Sequence, residues 1–386
     1  MRRLRLAYLA ARLNPGGAER QMLALAERLP KDRFAVEFLT LIGTGLYDDR
    51  ARASGARIHN LGQLVPPDAP ITVKAVSRVT KAWAYTSTVS RRRYDIVDAW
   101  LYPTDVMAAL ARPLTRTPVV MAGQRNVDPQ DQFGALERVV ASTARRMIDV
   151  VVANSAAAAD HAAAHGVDRS RIRIIRNGVV IPEPLTPAER SGRRAELGAG
   201  PDDVLIGCVA NYRDVKRLDV LVEAIVPLIR EGLPIRLELI GDGPMRRDVE
   251  RWVRDAGIDT QVCLHGSLPS PEPFYGAFDI AVQSSEREGL PNVLLEAGAA
   301  GRAMVATAAG GSSEIVIDGQ TGLLVPIGDA AALGAAMRRL VLDPDLRDKL
   351  GTAARAHVER LFGMDRFVQE FATLYETLAA SRHAGR

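Results

Sequence analysis

Two glutamates near the C-terminus, Glu288 and Glu296, have a spacing that could hold a phosphorylated sugar. Glu288 lies in a glycine-containing loop. Glu296 lies in the helix predicted over 292–300, for which Pro291 suits the first helical position. Backbone N–H groups at a helix start favour an anionic phosphate. The flanking carboxylates could accept hydrogen bonds from sugar or ribose hydroxyl groups. The N–H donors at this helix start belong to Gly289, Leu290 and Asn292.

Two other interpretations of this pair stay open. Glutamates eight residues apart are often solvated surface charges. They could also be the acid and the nucleophile of a glycosidase. Eight residues of helix rise about 12 Å, whereas paired glycosidase carboxylates lie about 5–9.5 Å apart. The spacing therefore disfavours a glycosidase, although the loop at Glu288 makes this distance approximate.

Other loops at predicted strand ends carry groups that suit the same ligand. Gly16 and Gly17 follow the first strand, where glycines let backbone approach a phosphate. Their spacing is not G-x-G-x-x-G, which disfavours a dinucleotide-dependent oxidoreductase. Later in the chain, Arg213 and Lys216 form a cationic loop that could neutralise a diphosphate leaving group. The turn at 240–244 ends another strand.

The length of 386 residues predicts two domains, since it exceeds one ordinary core. A hydrophobic content of 47% and a charged content of 25% are typical of a soluble globular protein. No apolar run reaches the roughly 18–20 residues that cross a bilayer, and the first residues predict a strand, not a signal peptide. We expect Cys208 and Cys263 to be buried thiols and the chain to be cytoplasmic.

Apolar runs alternate with helical stretches in both halves, which predicts two α/β domains with parallel sheets. We expect seven strands in a first domain over 1–178 and six in a second domain over 201–363. The segment 179–200 is rich in Pro and Gly and predicts a linker with a short helix. We expect the helix over 364–382 to pack back on the first domain. A cleft between facing domains would lie at the carboxyl ends of the strands.

Taken together, the motifs resemble the retaining glycosyltransferases of family four, which have two Rossmann-like domains facing across a cleft in the GT-B arrangement. The resemblance spans nearly the whole chain in order. It implies transfer of a sugar from a nucleotide-diphosphate donor with retained anomeric configuration, and it favours UDP over GDP. It also implies that the domain over 1–178 binds the acceptor and that the domain over 201–363 binds the nucleotide-sugar. The residues that carry it are Gly16–Arg20, Ile240–Pro244, Glu288, Glu296, Gly310, Gly311, Glu314 and Asp318–Val325.

By this resemblance, Glu288 would hold the donor sugar's hydroxyl groups and Glu296 the ribose. Lys216 would bind the diphosphate, which the amides of Gly289 and Leu290 would cap. Leu268 would seat the base through its backbone. We also place in the donor site Gly17, Asn211, Gly241 and Asn292.

Two positions depart from the family pattern. Many members have Gly-Arg-Leu shortly before the lysine, whereas this chain has Asn211-Tyr212-Arg213. We expect Arg213 to supply the guanidinium from a shifted position. Many members also have a cleft-facing histidine in the first domain. This chain has Arg125 followed by Asn126 at that place, and we assign both to the acceptor side.

We predict no metal and no cofactor, the nucleotide-sugar being a substrate. The six histidines are scattered, and a pair such as His161 and His165 offers too few ligands for zinc, so we interpret them as surface residues. No Asp-x-Asp motif lies in a suitable strand-end loop. We predict that Asp48 and Asp49 lie in an ordinary loop. Cations and helix N-termini would then stabilise the leaving diphosphate.

The basic character of the first half favours an anionic partner. Residues 1–178 hold 27 lysines and arginines against 16 acidic residues, a net charge of +11. Only 5% of residues are aromatic and no stacking motif occurs, which disfavours nucleic acid. With Arg91–Arg93, Trp83 and Trp100, the charge fits a lipid-linked or oligosaccharide acceptor at the inner face of an anionic membrane. The alternative that the arginines reflect only coding composition stays open.

Three other functions stay open. A nucleotide-sugar epimerase of similar architecture would convert a donor without an acceptor. A non-catalytic nucleotide-binding protein would bind UDP without turnover. A phosphorylase of the glycogen type would need a cofactor lysine, for which no matching motif is present.

Overall fold

The computed structural model describes residues 2–66, 68–126, 134–268 and 272–384. The chain divides into two compact units. Unit 1 comprises Met1–Gly178 and Asp365–Arg386, and unit 2 comprises Val179–Met364. Each unit has one parallel sheet with helices between successive strands, so the predicted fold class of two Rossmann-like α/β units is confirmed.

Unit 1 has, among the described residues, a seven-stranded sheet. Its strands are β1 (Leu4–Ala10), β2 (Phe34–Thr40), β3 (Arg57–Asn60), β4 (Ile96–Ala99), β5 (Val119–Gln124), β6 (Val150–Ala153) and β7 (Ile172–Ile174). Its helices up to Gly178 are α1 (Gly17–Arg28), α2 (Asp48–Ala53), α3 (Ile71–Arg92), α4 (Thr104–Thr115), α5 (Ala135–Met147) and α6 (Ala156–Ala164). The order β3-β2-β1-β4-β5-β6-β7 is parallel throughout.

Unit 2 has a six-stranded sheet in the part of it that the structure describes. Its strands are β8 (Val204–Val209), β9 (Ile235–Ile240), β10 (Val262–Gly266), β11 (Ile280–Gln283), β12 (Ala303–Thr307) and β13 (Leu323–Val325). The remaining helices are α7 (Pro187–Glu196), α8 (Leu218–Arg230), α9 (Arg246–Ala256), α10 (Glu272–Tyr275), α11 (Asn292–Ala299), α12 (Ser312–Ile315), α13 (Ala330–Leu342), α14 (Pro344–Phe362) and α15 (Met364–Ala384). The parallel order is β10-β9-β8-β11-β12-β13, so the carboxyl ends of β8, β11 and β12 lie side by side.

Helix α15 packs on unit 1 through aromatic side chains. The Phe371 ring stacks on Trp100 with 5.6 Å between centroids. The Tyr375 hydroxyl donates to Asp98 Oδ2 at 2.7 Å. Burial raises the pKa of the Asp98 carboxyl from 3.8 to about 6, although the hydrogen bond from Tyr375 lowers it in part.

The segment 179–200 belongs to unit 2 and is not a free linker. Val179 donates its N–H to Phe362 O at 2.8 Å, and Met364 donates to Val179 O at 3.0 Å. Helix α7 is the short helix predicted there. Its arginines Arg190 and Arg194 both contact Asp279, at 2.6 and 2.7 Å, ahead of strand β11.

Two local predictions are wrong. Asp48 and Asp49 begin helix α2 instead of lying in a loop. Asp48 Oδ1 also accepts the Gly45 N–H at 3.1 Å, a bond that connects the helix start to the preceding turn. Cys208 is buried, but Cys263 is only partly buried because β10 is the edge strand of its sheet.

No helix in the described ranges is long and apolar enough to cross a bilayer.

Candidate active site

Loops at the carboxyl ends of β8, β11 and β12 bring the principal predicted residues together in unit 2. Lys216 Nζ lies 2.6 Å from Glu288 Oε1, although the two residues are 72 positions apart. Both side chains are largely buried, 23% exposed for Lys216 and 11% for Glu288. The ammonium and the carboxylate are therefore paired in a site with little water around it.

The backbone also ties the Lys216 loop to the end of β11. Ser284 donates its hydroxyl to Lys216 O at 2.8 Å, and Glu286 donates its N–H to Val215 O at 2.8 Å. Arg217 adopts a left-handed conformation with φ of 48°, which turns the chain from a 3₁₀ turn over Asp214–Lys216 into α8. The position of the lysine is therefore set by the backbone on both sides of it.

A glycine allows the β12 loop to touch the Glu288 loop. A Cβ on Gly310 would lie 1.8 Å from Glu288 O, and φ at Gly310 is +52°. The next residue, Gly311, donates its N–H to Gly289 O at 2.8 Å. Backbone approach this close requires glycine at position 310.

Helix α11 begins at Asn292, with Pro291 as its N-cap instead of its first helical residue. Gly289 and Leu290 precede it and are buried. Glu296 lies in the second turn and is 8% exposed. The helix start thus follows Glu288 after three residues, and N–H groups at a helix start favour an anion.

The loop after β8 also packs against the turn at 241–243. A Cβ on Gly241, where φ is +139°, would lie 1.8 Å from Ala210 O. Tyr212 is fully buried and donates its N–H to Asp242 O at 3.0 Å. Asn211 and Arg213, on either side of Tyr212, are exposed in the same loop as Lys216. A buried tyrosine thus anchors a loop whose polar residues face solvent.

Leu268 is half-buried beyond the end of β10, the strand in which His265 contacts a buried carboxylate. His265 Nε2 lies 2.5 Å from Oε2 of the fully buried Glu238. In unit 1, His59 Nε2 lies 2.6 Å from Glu37 Oε2. The interpretation of the histidines as surface residues is therefore wrong for these two, whose side chains are only 18% exposed for His265 and 20% for His59.

One trio of metal-ligating groups lies together in the described part of the chain. The ligand atoms of Glu238, Cys263 and His265 lie within 4.8 Å of one another. Glu238 also contacts Arg236 Nε at 3.3 Å, so its charge is compensated by a cation. Burial raises the pKa of the Cys263 thiol, which disfavours the thiolate that a metal would need. We interpret this trio as structural.

The predicted residues of unit 1 have mixed outcomes. Gly17 is the first residue of α1, directly after β1 and its loop, as expected. Arg125 is buried, 6% exposed, with its guanidinium carbon 4.1 Å from the centre of the Trp100 ring and its Nη1 3.3 Å from Asn177 Oδ1. Burial lowers the pKa of this guanidinium to about 10. Arg125 is therefore packed inside unit 1, and its assignment to the acceptor side stays a prediction.

The same stacking corrects the assignment of Trp100 to a membrane surface, because Trp100 is 1% exposed. Trp83, which was assigned to the same surface as Trp100, is exposed on α3. Asn126 follows Arg125 at the end of the described segment and is exposed. The sequence could not show which of the two tryptophans is buried, because Trp100 contacts Phe371 and Arg125 only in the folded chain.

Comparison with known proteins identifies the family of both halves. A family model described as "Glycosyltransferase Family 4" matches residues 15–181. A second, described as "Glycosyl transferases group 1", matches residues 203–343. The two matches together cover most of the chain and include Gly17, Lys216 and Glu288.

Individual relatives agree with these models. The chain is 26% identical to a D-inositol 3-phosphate glycosyltransferase of Streptomyces bingchenggensis, over 96% of this chain and 89% of that protein. It is 35% identical to the lipopolysaccharide core biosynthesis glycosyltransferase LpsE of Rhizobium meliloti, over 49% and 53%. The chain spans about half the length of three of the curated relatives that it matches.

The crystal structure of Anabaena HepE in complex with UDP and glucose has the same fold. It superposes with a TM-score of 0.84 at 20% identity, over 97% of this chain and 99% of that one.

Proposed function

Since the chain belongs to the group 1 glycosyltransferases of family four, we propose that it transfers a sugar from a UDP-sugar to a lipid-linked or polysaccharide acceptor. A fold neighbour that binds UDP and glucose supports the choice of UDP. A relative that acts in lipopolysaccharide core biosynthesis supports the acceptor class. With both cysteines free, we place the reaction on the cytoplasmic side of the membrane.

The observation that carries this proposal is the Lys216–Glu288 pair beside the start of α11. It combines a cation and helix N–H groups for a diphosphate with a carboxylate for hydroxyl groups. In this assignment Glu288 and Lys216 are the principal catalytic residues and Arg213 adds charge from the exposed side of the loop. Glu296 accepts hydrogen bonds from the ribose.

We propose a front-face reaction that retains the anomeric configuration. The bond from the anomeric carbon to the diphosphate oxygen breaks, and the acceptor oxygen bonds to that carbon on the same face. The acceptor's proton passes to the departing diphosphate. Glu288 Oε1 is held by Lys216, which suits a hydrogen-bonding role better than that of a nucleophile. The coupling constant of the product's anomeric proton in NMR tests this: an inverted product would contradict it.

We also propose that transfer needs no metal ion. Lys216 and the N–H groups at the start of α11 would stabilise the negative charge of the departing diphosphate, a contribution of typically about 3–4 kcal/mol for a well-placed donor. Transfer should therefore continue at an unchanged rate after dialysis against EDTA. A loss of activity that Mg²⁺ or Mn²⁺ restores would contradict this proposal.

Helix α3 supports contact with a membrane. Val76, Val79 and Trp83 share one face of it, at 63%, 69% and 70% exposure. Lys81 lies on the opposite face, where burial lowers the pKa of its ammonium. The buried Tyr85 and Val89 lie on the same face as Lys81, so α3 has apolar side chains towards solvent in addition to those that face the core. An exposed apolar face of this kind favours a partner surface.

We propose that this face rests on an anionic lipid bilayer. Arg91 and Arg93, at the end of α3, are exposed, and the first 178 residues carry a net charge of +11. Cations beside an apolar face favour anionic lipid and oppose a second copy of this basic surface.

Co-sedimentation with phosphatidylglycerol vesicles tests this contact. Replacing Val76, Val79 and Trp83 by Ser should lower the bound fraction several-fold, and added salt should lower that of the wild type. The matched control is Leu342→Ser, which changes an exposed apolar residue of unit 2. Equal binding by the triple variant and the control would contradict the contact.

A thermal-shift panel of UDP- and GDP-sugars tests the donor. The true donor should raise the melting temperature by mass action, more than its free nucleotide does. An assay with that donor then separates the alternatives: conversion of the donor sugar without an acceptor indicates an epimerase, and binding without turnover indicates a binding protein. Either result would contradict sugar transfer.

A further inference from the structure

Gln283 is a buried polar residue at the end of strand β11. The three preceding residues of the strand, 280–282, are apolar, and Gln283 is 4% exposed. Burying an amide is unfavourable unless it is hydrogen-bonded. Both ends of this amide have partners: Nε2 donates to Glu288 Oε1 at 3.0 Å, and Oε1 accepts from Ser312 Oγ at 3.5 Å.

Glu288 Oε1 consequently accepts two hydrogen bonds, one from Gln283 and one from Lys216 at 2.6 Å. Within the described residues, Oε2 of the same carboxylate accepts none. Two donors on one oxygen fix the rotation of the carboxylate. The other oxygen remains as an acceptor for a ligand, and a sugar hydroxyl is a donor of the right kind.

Lys216 alone could not keep this orientation during the reaction. Its ammonium would have to serve both Glu288 and the diphosphate, which carries more negative charge than one carboxylate. When the lysine turns to the phosphates, a neutral amide can still hold Glu288 Oε1. Ser312, from the β12 side, orients that amide.

We propose that Gln283 is a positioning residue for the donor sugar. It holds Glu288 Oε1 so that Oε2 faces the sugar's hydroxyl groups while Lys216 binds the diphosphate. This inference rests on the proposed function, because it assigns a residue to the same donor site.

Calorimetric binding of UDP and of a UDP-sugar separates this role from a structural one. The sugar is whichever of UDP-glucose, UDP-galactose and UDP-N-acetylglucosamine binds the wild type more tightly than UDP. Gln283→Leu should raise the Kd of the UDP-sugar about tenfold, as expected for loss of a hydrogen bond to a charged group. The Kd of UDP should change less than twofold. The control is Gln320→Leu at an exposed turn of unit 2, which should change neither.

A double variant tests whether Gln283 acts through Glu288. In a Glu288→Gln background, Gln283→Leu should add little further loss of UDP-sugar affinity, because the carboxylate it positions is gone. Additive losses would overturn the proposal. So would equal loss of UDP and UDP-sugar binding.

Gln283→Glu provides a nearly isosteric variant in case the leucine variant folds poorly. Two ionised carboxylates within about 3 Å repel each other, so one should hold a proton in a shared site at low pH. UDP-sugar affinity of this variant, relative to wild type, should rise as the pH falls from 8 to 5.5. A relative affinity that does not change with pH would contradict the positioning role.

Different results would contradict the donor site and the positioning role of Gln283. If Glu288→Gln weakens UDP-sugar binding and Gln283→Leu does not, the positioning role is wrong and the donor site stands. If the wild type binds none of the three UDP-sugars more tightly than UDP, the role of Glu288 fails, and that of Gln283 fails with it.

Discussion

At the scale of single residues, the site depends on side chains that satisfy each other before any donor arrives. Lys216 and Glu288 neutralise one another, and Gln283 shares Glu288 with the lysine. Removing one member of a largely buried pair leaves the other uncompensated. Their position at neighbouring strand ends was predictable from the order of strands and helices. Their direct contact was not, because it depends on the loop conformations set by Arg217 and Gly310.

Gly310→Ala should disrupt the site through the backbone. The new Cβ would meet Glu288 O at 1.8 Å in a left-handed conformation. Overpacking of this kind typically costs about 1–3 kcal/mol, and the displaced Glu288 should weaken UDP-sugar binding. Urea unfolding and calorimetry measure the two effects.

The matched control is Gly319→Ala. Its φ is also positive, at +68°, but nothing lies within 4 Å of the new Cβ. It should lose only the roughly 1–2 kcal/mol of a left-handed alanine and keep UDP-sugar affinity. Equal effects of both substitutions would show that close contact at Gly310 has no role.

At the scale of secondary-structure elements, alternation of apolar and helical segments was enough to predict the thirteen strands that the described residues form. The two wrong predictions, for α2 and Cys263, have identifiable causes. Helix α2 has six residues, too few for a helical period to be visible. The exposure of Cys263 depends on β10 being an edge strand, which is a property of the sheet order and not of the segment.

Helix α15 gives unit 1 a pH-dependent contact. The carboxyl of Asp98, under Tyr375, has its pKa raised by burial to about 6. The folded chain therefore keeps this proton between pH 4 and 6, where the unfolded chain loses it. The resulting stabilisation is complete below pH 4 and is lost as the pH rises to 6.

Asp98→Asn should remove that dependence. The unfolding free energy of the variant relative to wild type should rise by up to about 3 kcal/mol from pH 4 to pH 6.5 and then stay level. Urea unfolding at several pH values measures it, with the exposed Asp202→Asn as control. A difference that does not change with pH would contradict the raised pKa.

At the scale of the whole molecule, the two units have different charge and different roles in the proposal. Residues 1–178, which form most of unit 1, are strongly basic, whereas residues 179–386 hold 23 lysines and arginines against 30 acidic residues. The paired donor-site residues Lys216 and Glu288 lie in unit 2. The exposed apolar face lies on α3 of unit 1. Contacts between segments that are distant in the chain could not be predicted from the sequence. The burial of Arg125 could not be predicted, because its partners Trp100 and Phe371 are brought to it only by folding.

The most direct test of the central claim is a crystal structure of this chain with the UDP-sugar that the thermal-shift panel selects. We expect Glu288 Oε2 to accept a hydrogen bond from a sugar hydroxyl, Lys216 Nζ to contact the diphosphate, and Glu296 to contact the ribose. A nucleotide-sugar bound elsewhere, with Lys216 and Glu288 still paired and no ligand atom near them, would contradict it.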